Sequence, residues 1–204
     1  MFSTRPPPFS LPPPCEAALR AAYARPVRAY HTAEHVGEVV AAYERVADGP
    51  GWAHPREVYW AVLCHDAIYE AGRPDNEARS AALARRLAAH WLRAADLDLD
   101  RVEALILLTA RHGTLADETL GADAAHFVDC DMAILGAPPA RFDAYDDAIA
   151  VEYAAVPPAA YQAGRRRFLA ALLASPRIFH SDFFHDRLDA VARANLARAL
   201  ARLP

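Results

Sequence analysis

Apolar residues recur along this chain at intervals of three and four, and the elements they predict are helices throughout. In AEHVGEVVAAYERVAD, Val36, Val39, Val40 and Tyr43 fall at helical spacing, with Thr32 placed to cap the first turn. EAALRAAYA predicts a short helix before it, opened by Pro13 and Pro14 and broken by RPVRAYHT. REVYWAVLCHDAIYEA is apolar nearly all round and predicts a mostly buried helix that GRPDN ends. EARSAALARRLAAHWLRAA is a long amphipathic helix with Asn76 as its cap. RVEALILLTARHG is another, capped by Asp98 or Asp100 and stopped at Gly113. Further helices are expected around AAHFVDCDMAILGA, over about 140–154 and 159–174, and from Asp182 to Leu203. No segment alternates as a strand would, nothing repeats, and no glycine-rich phosphate loop is present.

The expected fold is therefore all-α, a bundle of about eight or nine helices. Residues 1–14 form a Pro-rich N-terminal segment and residues 15–204 a single helical domain, which suits a chain of 204 residues. At 54% hydrophobic and 24% charged residues the chain should fold around one core. The net charge of -4, with both signs interspersed, argues against nucleic acid and anionic membranes as partners. All 22 basic residues are Arg, which excludes Schiff-base and Walker-type lysine chemistry. Cys15, Cys64 and Cys130 make no C-x-x-C pair, so reduced thiols and a cytoplasmic location are expected. No apolar stretch is long enough to span a bilayer, and the N-terminus has no signal-peptide core.

The chemistry gathers at helix ends and inside apolar runs. YHTAEHV places His31 and His35 one turn apart on one face. LCHDAIYE sets His65 and Asp66 side by side after a run of buried type. LTARHG puts His112 at a helix end, and FVDCDMAIL carries Asp129 and Asp131 in an otherwise apolar stretch. Buried carboxylates and imidazoles are costly unless paired or metal-bound. A mixed set of His nitrogens and carboxylate oxygens suits Mn, Fe, Co, Ni or Zn, and Mg less well. FHSDFFHD also holds ligand-type side chains, in His180, Asp182, His185 and Asp186. It reads as a helix start capped by Ser181 or Asp182, with Phe179, Phe183 and Phe184 turned inward.

The order of these blocks resembles the HD superfamily of metal-dependent phosphohydrolases, all-α proteins that bind metal through a first His, an adjacent His-Asp pair and a distant Asp. YARPVRAYHTAEHV, CHDAIYEAGRPDNEARSA and VDCDMAILG, and more weakly RIFHSDFFHDRLDAVARANL, look like a bacterial subgroup of that superfamily. The resemblance covers most of the chain after about residue 16. It implies an HD-type fold with His35, His65, Asp66 and Asp131 as metal ligands, and with Asp129 and His112 as the competing donors.

It also implies a phosphohydrolase acting on a nucleotide or another small phosphate ester. Glu70 or Glu77 would serve as acid or base beside the catalytic Asp66. His31, Arg25, Arg28 and Arg73 would face the anionic substrate, since an Arg fork can hold two phosphate oxygens. Two other functions stay open at this point. One is a di-iron HD-type oxygenase, which would draw on His90 and His112. The other is a non-enzymatic binding protein with a vestigial site.

Overall fold

The computed structural model describes residues 6–115 and 120–203. Among them are nine α-helices and no strand: α1 (Pro13–Tyr23), α2 (Ala33–Asp48), α3 (Pro55–Cys64), α4 (Asn76–Trp91), α5 (Leu99–Thr109), α6 (Ala122–Met132), α7 (Pro139–Glu152), α8 (Pro158–Ala174) and α9 (Asp182–Arg202). Short 3-10 turns cover Arg93–Ala95 and Ala133–Gly136. Proline occupies the first turn of α1, α3, α7 and α8. Its fixed φ suits that position and its missing N–H is not needed there.

Helix α3 is the hub. Every residue from Val58 to Cys64 is buried, because α2, α4, α5 and α6 all pack around it. Trp60 sits at the centre, its indole N–H donating to the Ala84 carbonyl at 3.2 Å. The second half of the chain builds its own wall of Phe142, Phe179, Phe184 and Leu196, with α9 laid along α8 and the turn after α6. Phe9, in the Pro-rich segment, packs edge-on against Tyr59 at 5.6 Å, so part of that segment is fastened to the core. Among the described residues no helix is long and apolar enough to cross a membrane.

Two capping expectations match the structure. Thr32 accepts from the Glu34 amide at the start of α2, and Asp98 from the amides of Asp100 and Arg101 at the start of α5. Two details differ. The buried helix does not run on to the GRPDN segment but ends at Cys64, which leaves His65 and Asp66 in the turn beyond it. Its carbonyls find other donors. Arg28 donates to the Asp66 and Ala67 oxygens, the Ser80 hydroxyl to Ile68, and the Asn76 amide to Glu70. These side chains satisfy the polar backbone that helical continuation would otherwise satisfy. Asn76 is thus not a cap; it is the first residue of α4, its side chain turned back onto Glu70.

Candidate metal centre

Three elements deliver four donors to one point. His35 stands in the first turn of α2, held by the buried face of Val36, Val39 and Val40. His65 and Asp66 follow the last turn of α3, where Arg28 fixes their backbone. Asp131 lies in the last turn of α6. One ligand atom from each of His35, His65, Asp66 and Asp131 lies within 4.8 Å of every other. The two imidazole Nε2 atoms are 3.2 Å apart. His35 Nε2 is 3.1 Å from Asp131 Oδ1 and 3.5 Å from Asp66 Oδ2, and His65 Nε2 is 3.4 Å and 3.2 Å from the same oxygens.

These separations fit a shared cation. Donors about 2.1 Å from one metal stand about 3.0–3.4 Å apart in octahedral or tetrahedral arrangements. The tautomer fits too. His65 Nδ1 donates to the Val62 carbonyl at 2.9 Å, which leaves the Nε2 lone pair aimed at the cluster. Two neutral imidazoles with facing nitrogens need a proton or a metal between them, and two carboxylates balance a divalent charge. Borderline metals suit this pairing of two nitrogens with two oxygens.

The electrostatics carry the same signature. Burial alone would push the His65 imidazole down, but the carboxylates of Asp66 and Asp131 hold its pKa well above the ordinary value. His35 is likewise raised, its hydrogen bonds to Asp131 and Asp66 outweighing burial. Burial would raise Asp66 and Asp131, yet the neighbouring imidazoles, His65 foremost, hold both well below the carboxylate range. The group is a buried cage of opposed charges in which a cation could take the place of protons.

Around this cage the sequence-derived candidates part company. His112 Nε2 donates to the second oxygen of Asp131 at 2.8 Å, so it orients that carboxylate and lies outside the four-donor group. Asp129, the rival of Asp131, faces the other way. It accepts from the amides of His180 and Ser181 at 2.8 and 2.7 Å and from the Ser181 hydroxyl at 2.6 Å, and so ties α6 to the start of α9. Ser181 in turn caps α9. FHSDFFHD gathers no metal-type cluster among the described residues. Cys64 and Cys130 flank the donors in sequence but are buried, burial pushes both thiols up, and neither sulfur belongs to the four-donor group.

Glu77 lines the cavity that opens onto Asp131 and His112, and burial raises its pKa. Glu70 does not reach that wall; it lies on the surface in ion pairs with Arg79 at 2.8 Å and Arg73 at 4.0 Å. Arg73 is taken up further by Asp75 at 2.8 Å, and Arg25 is exposed in the loop after α1. The sequence-based assignment of Arg28 to the substrate needs correcting. Its guanidinium is buried and donates to five carbonyls, of Ala22, Arg25, His31, Asp66 and Ala67, so it braces the site's backbone. His31 does border the cavity, stacked on Tyr69 at 3.9 Å between ring centres.

Glu152, at the end of α7, has no counterpart among the sequence-derived candidates. One of its carboxylate oxygens accepts from the amides of Ala29, Tyr30 and His31, and the other pairs with His31 Nδ1 at 2.6 Å. No local motif marks it, because its partners lie more than 120 residues earlier. His90, set against Trp91 at the end of α4, is remote from the cage, whereas His112 touches it. No family model matches this chain, and no curated protein or solved structure matches it either.

Proposed function

We propose that this protein is a metal-dependent phosphohydrolase of the HD type, acting on a small phosphate ester. The observation that carries this is the convergence of His35, His65, Asp66 and Asp131 within 4.8 Å, in the chain order that the HD resemblance implies. A divalent cation held there would polarise a phosphoryl oxygen and lower the pKa of a water molecule. The chain's own residues would do the rest. Asp131 would be kept in line by His112, and Asp66 by the backbone grip of Arg28. Glu77, at the cavity wall with a raised pKa, would carry the proton that the leaving oxygen needs. His31, fixed by Glu152, would bond a phosphoryl oxygen.

The test is elemental analysis followed by a phosphate-release screen across esters with Mn, Co, Ni and Zn. Activity should disappear with a chelator and return with metal. Glu77→Gln should keep its metal and lose most turnover, and Glu70→Gln should keep both. A metal-loaded protein that releases no phosphate from any ester ends the hydrolase proposal.

A further inference from the structure

A cavity of about 570 Å3 opens beside Asp131 and His112. That volume suits an organic molecule much larger than a phosphate ion. Its wall is dominated by rings: Tyr30, Tyr69, Tyr145, Tyr153, Tyr161 and Phe168. The rings hold one another in place. Tyr30 and Tyr145 meet edge-on at 4.7 Å, Tyr153 and Tyr161 lie 5.6 Å apart, and Tyr69 is stacked on His31 at 3.9 Å. Ile149 and Val156 fill in between. Such a wall is ordered before anything binds, so a flat apolar group entering it loses little in rearranging the protein.

The charge on the wall is equally informative. Glu77 and Asp131 contribute carboxylates. Among the lining residues the one guanidinium is that of Arg165, and it is already engaged. Its Nε and Nη2 donate to Asp146 at 3.0 and 2.6 Å, and its plane lies over Tyr145 and Phe168 at 5.4 Å from each ring centre. The chain has no lysine to add. The imidazoles of His31 and His112 also line it, but each is already paired with a carboxylate, His31 with Glu152 and His112 with Asp131. Beyond the one phosphate that His31 would hold, a second or third would meet carboxylates and rings, and anionic groups without counter-charges are costly to desolvate.

We propose that this cavity is the subsite for the organic half of the substrate, and that the substrate is a phosphomonoester of an aromatic or flat apolar alcohol, not a di- or triphosphate. The phosphate anchor rests on the phosphohydrolase reading; the preference for a ring over a second anion stands on the cavity itself. Gly164 offers a clean way in. It lies in the middle of α8 on the cavity wall, and a Cβ built there meets nothing closer than Arg167 Nη2 at 3.9 Å. Gly164→Leu therefore adds bulk at the cavity wall with room for its Cβ, in a helix that tolerates leucine better than glycine.

The experiment is calorimetric binding to the Mn-loaded full-length protein with three non-hydrolysable probes. Methylphosphonate reports the anchor, (1-naphthylmethyl)phosphonate adds a ring system, and butane-1,4-diphosphonate adds a second anion. The naphthyl probe should bind about tenfold or more tighter than methylphosphonate, the scale expected for burying a ring of that size. The diphosphonate should bind no tighter than methylphosphonate. Gly164→Leu and, independently, Tyr161→Ala should each erase most of the naphthyl advantage while leaving Mn content unchanged. A diphosphonate that binds best, a naphthyl probe no better than methylphosphonate, or an advantage untouched by both variants would overturn the proposal. Release of phosphate from 1-naphthyl phosphate is scored separately. If it fails while the binding pattern holds, the reaction is wrong and the subsite stands.

Discussion

The two aspartates of α6 give opposite outcomes on substitution, and the size of each follows from its partners. Asp129 is 1% exposed and accepts from two amides and one hydroxyl. In Asp129→Ala the Ser181 hydroxyl can rotate to another acceptor, but the buried amide of Ser181 and the part-buried amide of His180 are left facing a methyl group. Each unsatisfied donor costs about 1–3 kcal/mol, so a loss of about 3–5 kcal/mol is expected with the emptied space included. For a chain of this size that lowers Tm by about 6–20 °C. Asp129→Asn keeps one acceptor oxygen and should fall between alanine and the parent. Asp131→Ala instead removes a cage donor, so its signature is lost metal. The assay pairs a thermal scan of metal-free protein with metal stoichiometry by elemental analysis. Both are run near pH 8, above the value of about 6 to which burial raises Asp129. Asp129→Ala should melt early yet still bind one equivalent. If it loses its metal while its metal-free Tm is unchanged, the division of labour between the two carboxylates is refuted.

The remaining predictions concern protons and the backbone brace. Because His35 and His65 are raised, the metal-free fold gains stability from their protonation that is complete below about pH 6.5 and is lost as pH rises through their elevated folded values. Asp66 and Asp131 are depressed, so their contribution is present above about pH 4 and disappears on further acidification. A metal must displace the imidazole protons, so its apparent affinity should climb with pH from about 6 upward, with proton release seen as buffer-dependent binding enthalpy; a flat profile would count against the cage. Arg28→Ala should cost at least about 3 kcal/mol and weaken metal binding, and Arg28→Lys should not restore it, because a single ammonium cannot span five carbonyls. Equal Tm and metal affinity in Arg28→Lys and the parent would show the brace to be dispensable.

The donors were legible because their signals are local. His35 follows a visible cap and precedes a visible apolar stripe, and the His65-Asp66 pair interrupts a run of buried type. The end of α3 was not legible, since the groups that take its carbonyls come from Arg28, Ser80 and Asn76 on other elements. Asp129 and Asp131 look alike in FVDCDMAIL. Two residues along a helix turn the direction by about 200°, so they face different neighbours, and only the packing of α9 decides which one meets the histidines. The place of Arg28 was hidden for a related reason: a guanidinium serves carbonyls as readily as phosphates, and sequence position does not say which is nearer. The ring-lined cavity was invisible because its tyrosines come from three distant stretches of chain, at Tyr30, at Tyr69 and over 145–161.

The bond from Asp129 to the start of α9 has a consequence for biosynthesis. The four cage donors lie between residues 35 and 131, whereas the amides that hold α6 from the far side belong to residues 180 and 181. A ribosome exposes the whole ligand set some fifty residues before the partner that fixes the helix carrying Asp131. Until Ser181 arrives, Asp129 is a carboxylate without its donors, and α6 is held only by α2, α3 and α5 on its other side. The ligand set is therefore complete in the chain before its supporting wall is, and a growing chain leaves the carboxylate of Asp129 without its donors until α9 docks.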